Sequence, residues 1–180
     1  SGIGSGKSHV CSLFRKRGIE VFDCDASAKR CVMTPLVRDE MTRLIGPDAY
    51  VDGIYNKAAV ARFLLASEDN KRAVNSIIHP AVMQDFMSSG LQWMECAILY
   101  EAHLQDYADR VVAVVAPEEV RIRRIMQRDG ITREKAQAWL SAQMPQEEVQ
   151  RRADFCIVND GQQPLEPQID GVLQFIMHNS

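Results

Sequence analysis

The sequence predicts an α/β protein in which a parallel sheet lies between two layers of helices. A glycine-rich stretch, residues 1–6, leads directly into an apolar-periodic helix. Two short apolar runs, 110–115 and 155–158, favour buried strands. Polar residues follow the predicted strands, and ligands bind beyond the carboxyl ends of strands in parallel sheets. These three observations predict a three-layer α/β/α core with its site at the strand ends.

The first eight residues predict a phosphate-binding loop of the P-loop NTPase type. They fit the pattern GxxxxGK[ST], except that Ser1 stands where the first glycine belongs. Such a loop aims backbone N–H groups at anionic oxygens, while Lys7 contacts the outer phosphates and Ser8 offers a hydroxyl to phosphate-bound Mg²⁺. The buried strand that should lead into the loop is absent from the sequence. The expected nucleotide-binding residues here are Gly2, Ile3, Gly4, Ser5, Gly6, Lys7 and Ser8.

The alternative interpretation is a glycine-rich turn that carries a lysine by accident. Three alternating glycines, Gly-Lys-Ser and an apolar-periodic run from His9 to Arg17 occur together here, which disfavours that alternative. Gly18 then ends the predicted helix. We therefore expect the loop to bind a nucleotide.

Length and composition predict one domain with an inserted subdomain. The 180 residues are too few for two full-sized domains, and a net charge of −3 without a basic block argues against nucleic acid. The sequence contains no uninterrupted apolar span long enough to predict a membrane helix. The five cysteines are odd in number and lack zinc-site spacing, which indicates reduced thiols in a cytoplasmic protein. We expect a monomer or a weak oligomer.

Two aspartates, Asp23 and Asp25, follow a predicted strand at 19–22. Alternation along an extended segment would send both carboxylates to one side, where they could hold a metal, orient an acceptor hydroxyl or accept its proton. The alternative is that Asp25 caps a helix beginning near Ala26. That alternative explains Asp25 but gives Asp23 no role.

The segment 26–90 has no strong strand signal and predicts a helical insertion. Its last break is expected at His79, with Pro80 in the first turn of a new helix that reaches Ser89. His79 is either a substrate contact or a structural cap, and the residues alone favour the cap. The predicted helices before this break span 26–33, 36–45, 57–66 and 68–78, separated by turn signals at Thr34-Pro35, Gly46-Pro47 and Asp52-Gly53.

The region after the insertion predicts further strands and a lid. A strand over 92–99 would place Tyr100 and Glu101 on the ligand side of the sheet. After the strand at 110–115, a helix carries arginines at helical spacing and leads through Gly130 to a second helix capped by Thr132. A mobile lid over a triphosphate is favoured over a solvated charged face. The arginines on that face are Arg121, Arg124 and Arg128.

The last predicted elements are a strand at 155–158, a turn and a closing helix over 165–177. The turn, Asn159-Asp160-Gly161, lies at the expected ligand edge of the sheet. Asn159 either contacts a nucleotide base or builds the turn.

Phosphate loop, strand-end carboxylates and arginines together indicate phosphoryl transfer from a nucleoside triphosphate to a hydroxyl. Lys7 and Arg128 would neutralise charge, Ser8 would bind Mg²⁺, and Asp25 would contact the acceptor hydroxyl with support from Asp23. A regulatory GTPase is disfavoured because the sequence lacks DxxG and NKxD elements. A nucleotide-binding module without turnover and a shikimate-type kinase remain as alternatives.

The whole sequence resembles the dephospho-coenzyme A kinases. The landmarks are residues 2–8, Asp-Cys-Asp at 23–25, Ile-His-Pro at 78–80, Gln-Arg-Asp-Gly at 127–130, Gln143-Met144, Ala-Asp-Phe at 153–155 and Asn-Asp-Gly at 159–161. One departure is Ala97-Ile98-Leu99 before Tyr100-Glu101, where the family usually has Pro-Leu-Leu.

The resemblance implies ATP-dependent phosphorylation of the ribose 3′-hydroxyl of dephospho-coenzyme A, the last step of coenzyme A synthesis. It implies that Asp25 is the base, that His79 lies on the acceptor side and that Asn159 and Gly161 lie near adenine. The corresponding division is a core of 1–25, 91–120 and 153–180, an acceptor-binding insertion of 26–90 and a lid of 121–152. Acceptor-side residues are expected to be Asp23, Asp25, His79, Tyr100 and Glu101.

Overall fold

The structure is a computed structural model that describes residues 1–178. It divides into two compact units. One unit comprises Ser1–Val21 and the chain from Glu95 onward, and the other comprises Phe22–Met94. None of the helices in residues 1–178 has the length and apolarity that crossing a membrane requires.

The first unit contains the phosphate loop and a parallel pair of strands. Helix α6 (Glu118–Asp129) packs against α7 (Arg133–Ser141), while α8 (Gln146–Arg152) packs against β5 (Val112–Val115) and α9 (Leu165–His178) against β6 (Phe155–Val158). This arrangement confirms the predicted α/β fold. Its elements are α1 (Lys7–Lys16), β5 (Val112–Val115), α6 (Glu118–Asp129), α7 (Arg133–Ser141), α8 (Gln146–Arg152), β6 (Phe155–Val158) and α9 (Leu165–His178), with a 3-10 turn at Gln105–Tyr107.

Strands β5 and β6 pair in parallel, with Val112 opposite Phe155 and Val115 opposite Val158. The bounds of β6 agree with the predicted strand, and β5 begins two residues later than predicted. A glutamine side chain bonds both backbone groups of one residue at the end of each strand: Gln146 bonds Ala116 after β5 at 3.1 and 2.9 Å, and Gln168 bonds Val158 in β6 at 2.7 and 2.9 Å. The amide of Asn159 donates to the Val115 carbonyl at 2.8 Å, so the carboxyl ends of the two strands lie side by side.

The second unit is mainly helical, as predicted, but it contains a small hairpin that the sequence did not reveal. Strands β2 (Tyr50–Val51) and β3 (Ile54–Tyr55) pair antiparallel around Asp52-Gly53, where φ is 52° and 77°. Positive φ at both positions suits a tight hairpin turn. The helices are α2 (Cys24–Cys31), α3 (Pro35–Ile45), α4 (Lys57–Ala66) and α5 (Glu68–Ser89), with a 3-10 turn at Pro47–Ala49.

The predicted helix break at His79-Pro80 is wrong. Helix α5 continues through Pro80 to Ser89, and His79 lies inside it as a half-buried residue that caps no helix. Val74, Val82 and Met83 are buried on both sides of the proline. Packing along the helix therefore outweighs the local loss of one backbone hydrogen bond.

Strands β1 (Val21–Asp23) and β4 (Trp93–Glu95) pair in a two-stranded sheet, and the division between the two units falls within both strands. The predicted strand over 92–99 is wrong beyond Glu95, because the chain turns there. Tyr100 and Glu101 therefore do not end a strand.

Candidate functional site

The phosphate loop is the part of the first unit with the chemistry of an anion site. Gly4 and Gly6 adopt φ of 77° and 79°, a region that side chains rarely enter, and Lys7 begins α1. A Cβ atom on Gly4 would lie 2.7 Å from the carbonyl oxygen of Arg121, and one on Gly6 would overlap the Asn159 amide. Glycine is required at Gly4 and Gly6 because the neighbouring groups leave no space for a side chain.

Backbone N–H groups at the junction of loop and helix remain available to a ligand. The amide of Ile3 donates to the Gln143 side chain at 2.8 Å, and that of Ser5 donates to the Gly2 carbonyl at 3.2 Å. Within residues 1–178 the amides of Gly4, Gly6, Lys7 and Ser8 donate to no acceptor. Four donors converging near the positive end of a helix dipole form a site for phosphate oxygens.

Helix α6 holds the front of the loop through Arg121. This arginine is only 7% exposed, its Nε donates to the Ile3 carbonyl at 3.0 Å, and its pKa is lowered by burial. Gln143 bonds the amide of the same Ile3 residue. Arg121 and Gln143 thus satisfy both backbone groups of Ile3. Arg121 is a support for the loop and not part of a solvated face.

Arg124, one turn further along α6, joins the loop to the end of β6. It donates to the Gly4 carbonyl at 3.2 Å and to the Asn159 carbonyl at 2.7 Å. Asn159 is buried, and its side-chain amide donates to the Ser5 carbonyl at 3.0 Å. Neither reading of Asn159 from the sequence anticipated this contact with the phosphate loop.

Lys7 faces a buried carboxylate that the sequence did not identify. Glu95, at the end of β4, lies 4.0 Å from the Lys7 ammonium and 3.4 Å from the Arg15 guanidinium. Its exposed fraction is 8%. The sequence analysis missed Glu95 because the predicted strand continued through it to Leu99, so that Glu95 did not stand at a strand end. An acidic residue within an otherwise apolar strand was the available signal.

Ser8 and Arg128 are exposed, and each occupies a different helix. Ser8 is the second residue of α1 and directly follows Lys7. Arg128 lies in the last turn of α6 and forms an ion pair with Asp129 at 2.8 Å. The expected lid helix begins at Arg133 after its Thr132 cap, and α8 follows as an unpredicted helix.

The two aspartates of the second unit have different structural roles. Asp23 caps α2, since its Oδ1 accepts the amide of Ala26 at 3.1 Å. Asp25 is exposed in the first turn of the same helix. The expectation of an extended Asp-Cys-Asp segment is therefore wrong, as is the alternative that Asp25 is the cap. Capping by Asp23 leaves the carboxylate of Asp25 accessible to a ligand.

The remaining predicted acceptor residues occupy unlike environments. His79 is half-buried in α5, and burial lowers its pKa, so its imidazole is favoured in the neutral form. In the other unit, Tyr100 packs in the core with Val115 and Val149, while Glu101 is exposed.

The turn after β6 is built by Asp160 and Gly161. The Asp160 carboxylate accepts the amides of Gln162 and Gln163, each at 2.9 Å. These bonds, the one from Gln163 foremost, lower the pKa of Asp160. Gly161 follows with φ of 81° in open space. The Asp160 carboxylate thus closes the turn, whereas the side chain of Asn159 bonds the phosphate loop.

The parallel strands, the glycine-rich loop and the loop's unused amides define a P-loop kinase. Residues 1–164 match the family model described as dephospho-CoA kinase. The chain belongs to the dephospho-CoA kinase family. This family catalyses the ATP-dependent phosphorylation of dephospho-CoA, the last step of coenzyme A biosynthesis.

Individual relatives agree with the family match. A dephospho-CoA kinase of Bacteroides fragilis is 38% identical, over 97% of this chain and 89% of the relative. One from Thermus thermophilus is 35% identical, over 95% and 86% of the two chains.

Two solved structures have a similar fold. The crystal structure of TT1252 from Thermus thermophilus has a TM-score of 0.82 and 32% identity, and the match covers 99% of this chain and 93% of that one. A dephospho-CoA kinase from Campylobacter jejuni has a TM-score of 0.65 at 20% identity, covering 97% and 94%, and supports the fold alone.

Proposed function

We propose that this chain transfers the γ-phosphoryl group of ATP to the ribose 3′-hydroxyl of dephospho-CoA. The observation that carries the proposal is that the backbone amides of Gly4, Gly6, Lys7 and Ser8 have no acceptor within residues 1–178. In the reaction, the 3′-oxygen forms a bond to the γ-phosphorus and the bond to the β,γ-bridging oxygen breaks. ADP leaves, and the hydroxyl proton passes to a carboxylate.

The cationic groups of the site would stabilise charge on the triphosphate as that bond breaks. The amides of Gly4, Gly6, Lys7 and Ser8 would bind the inner phosphates, and the ammonium of Lys7 would bind the outer ones. Arg128 is exposed at the end of α6, so its guanidinium can exchange its Asp129 partner for a phosphate.

The residues present fit a phosphate-bound Mg²⁺. Mg²⁺ takes oxygen ligands and keeps several waters, so one protein hydroxyl and phosphate oxygens suffice. The exposed hydroxyl of Ser8, beside Lys7 in the first turn of α1, provides such an oxygen. When bound, Mg²⁺ would neutralise negative charge on the phosphates.

Asp25 is proposed to orient the acceptor hydroxyl and accept its proton. Its exposed carboxylate is available because Asp23 already caps α2. We assign acceptor binding to the helical segment 26–90, in which His79 lies on the acceptor side. Tyr100 and Glu101 are proposed to contribute further contacts to the acceptor. Asp23 contributes indirectly: its cap stabilises the first turn of α2, and this turn orients the side chain of Asp25.

The segment 121–152 is proposed to act as the lid. Arg121 and Arg124 tie helix α6 to the phosphate loop, so closure would move the part of the segment that follows this helix. Arg128, in the last turn of α6, lies next to that moving part. Asn159 and Gly161 are assigned to the surroundings of adenine.

We also propose that the protein works in the cytoplasm as a monomer. Its five cysteines, all within residues 1–178, are thiols and not disulfides. The loop amides and Lys7 come from one chain, so phosphate binding requires no second copy.

The proposal is tested by a coupled assay of ADP release with ATP and three separate acceptors: dephospho-CoA, shikimate and adenosine monophosphate. We expect turnover with dephospho-CoA alone, and mass spectrometry of the product should show one added phosphoryl group on the ribose. Lys7→Met should abolish turnover in a protein that still folds, which a cooperative melting transition would establish. Turnover with shikimate only, or full activity of Lys7→Met, would contradict the proposal.

A further inference from the structure

We infer that Glu95 competes with nucleotide phosphates for Lys7 and thereby sets how tightly the phosphate loop holds ATP and ADP. Glu95 acts through Lys7, so it is a positioning residue. The inference rests on the proposed function, in which the Lys7 ammonium binds the outer phosphates.

The geometry places one carboxylate between two cations of helix α1. Oε1 of Glu95 lies 3.4 Å from Arg15, and Oε2 lies 4.0 Å from the Lys7 ammonium. Oε2 is fully buried and accepts no hydrogen bond within residues 1–178. At 4.0 Å the ammonium is attracted to Oε2 without being hydrogen-bonded to it. Lys7 therefore makes a contact with Glu95 that a phosphate oxygen can replace.

Besides these two cations, a thiol side chain faces the Glu95 carboxylate. Cys11 also faces the carboxylate, but burial, followed by its hydrogen bond to Glu95, raises the thiol pKa to about 12. The thiol therefore stays protonated at neutral pH and adds no second negative charge beside the carboxylate. A buried carboxylate with few partners keeps a strong hold on the cations it has.

A triphosphate in the loop changes this balance in a definite direction. Lys7 must turn from Glu95 toward the phosphates, and the buried carboxylate then remains close to the bound anion. Both effects oppose nucleotide binding, and neither is strongly screened by salt because the carboxylate is buried. Neutralising Glu95 should therefore tighten binding, whereas a residue that only supported the loop would weaken binding when altered.

Replacing Arg15 should have the opposite effect on nucleotide binding. It shares the carboxylate with Lys7, and its side chain is 42% exposed, so it can be replaced without opening the core. Arg15→Met leaves Lys7 as the main cation for Glu95. The same competition then predicts weaker nucleotide binding in this variant.

The test is isothermal titration of ADP and of ATP, with Mg²⁺ and without acceptor, into the full chain. We expect Glu95→Gln to lower both dissociation constants about tenfold, Arg15→Met to raise them severalfold and Glu95→Asp to stay near the wild type. Melting temperatures would establish that each variant is folded. Unchanged or weaker nucleotide binding in Glu95→Gln would overturn the inference. If Glu95→Gln failed to fold, tighter nucleotide binding in Arg15→Met would overturn it instead.

Lys7→Met separates this inference from the proposed function. If Lys7→Met binds ATP as well as the wild type does, the proposed role of Lys7 is wrong. If Lys7→Met loses ATP binding but Glu95→Gln gains none, only the role of Glu95 is wrong.

Discussion

Arg124 donates to the backbone carbonyl of Asn159 at 2.7 Å, and both residues also bond the phosphate loop, through the carbonyls of Gly4 and Ser5 respectively. Two elements far apart in sequence, α6 and the end of β6, therefore fix the same turn of the loop. Since carbonyls are occupied in this way, the loop can keep its amides directed at a phosphate.

Replacing Arg124 should weaken ATP binding. Lysine cannot bridge two carbonyls as the planar guanidinium does, so Arg124→Lys should raise KM for ATP about tenfold and affect kcat less. Arg123→Lys is the matched control, because Arg123 is the exposed neighbour on the same helix. Steady-state kinetics with varied ATP would measure both. Equal KM values for the two variants would show that the bridge does not hold the loop.

Asn159→Ala should reduce stability as well as ATP binding. The change leaves the carbonyl of Ser5, another buried residue, without its donor, and we expect a loss of about 1–3 kcal/mol of unfolding free energy. Urea denaturation would measure it. Gln162→Ala, in the exposed part of the same turn, should stay near the wild type. A midpoint unchanged by Asn159→Ala would contradict the structural role given to this amide.

The cap of α2 predicts different results for two substitutions at one position. Asp23→Ala removes the acceptor for the Ala26 amide and should cost about 1 kcal/mol of unfolding free energy. Asparagine also caps helices, so Asp23→Asn should retain most of the stability. Comparing urea midpoints of both variants tests the assignment. Equal destabilisation by both changes would indicate that the charge, and not the cap, matters.

Burial of Cys11 predicts a loss of stability in alkaline solution. The folded protein raises its pKa from the ordinary value of 9.0 to about 12. Below pH 9 both states bind the proton, whereas between pH 9 and 12 only the unfolded state releases it. The stabilisation is therefore present below pH 9 and falls as pH rises toward 12. Cys11→Ser, which does not titrate, should show a shallower decline in unfolding free energy between pH 8.5 and 10.5, and parallel declines would contradict the burial effect.

Elements with uniform local signals were predictable from the sequence. The bounds of α4 and β6 agree with the predicted ones, because each lies between clear breaks and has one consistent pattern. The fold class and the phosphate loop followed from similarly local evidence, since glycine spacing and Gly-Lys-Ser depend on a few consecutive residues.

The errors arose where distant contacts decide the structure. Pro80 looked like a helix start, but buried residues on both sides keep α5 continuous. The exchange of roles between Asp23 and Asp25 followed from a helix that begins at Cys24, two residues earlier than predicted. Glu95 and Arg124 gain their importance from partners many residues away, which periodicity cannot show.

The most direct test of the central claim is turnover and ATP binding of Asp25→Asn, measured side by side. The account assigns ATP to the loop amides and Lys7, and the acceptor proton to Asp25. It predicts that Asp25→Asn keeps the ATP dissociation constant of the wild type while kcat with dephospho-CoA falls about a hundredfold or more. Wild-type kcat in folded Asp25→Asn would contradict the account.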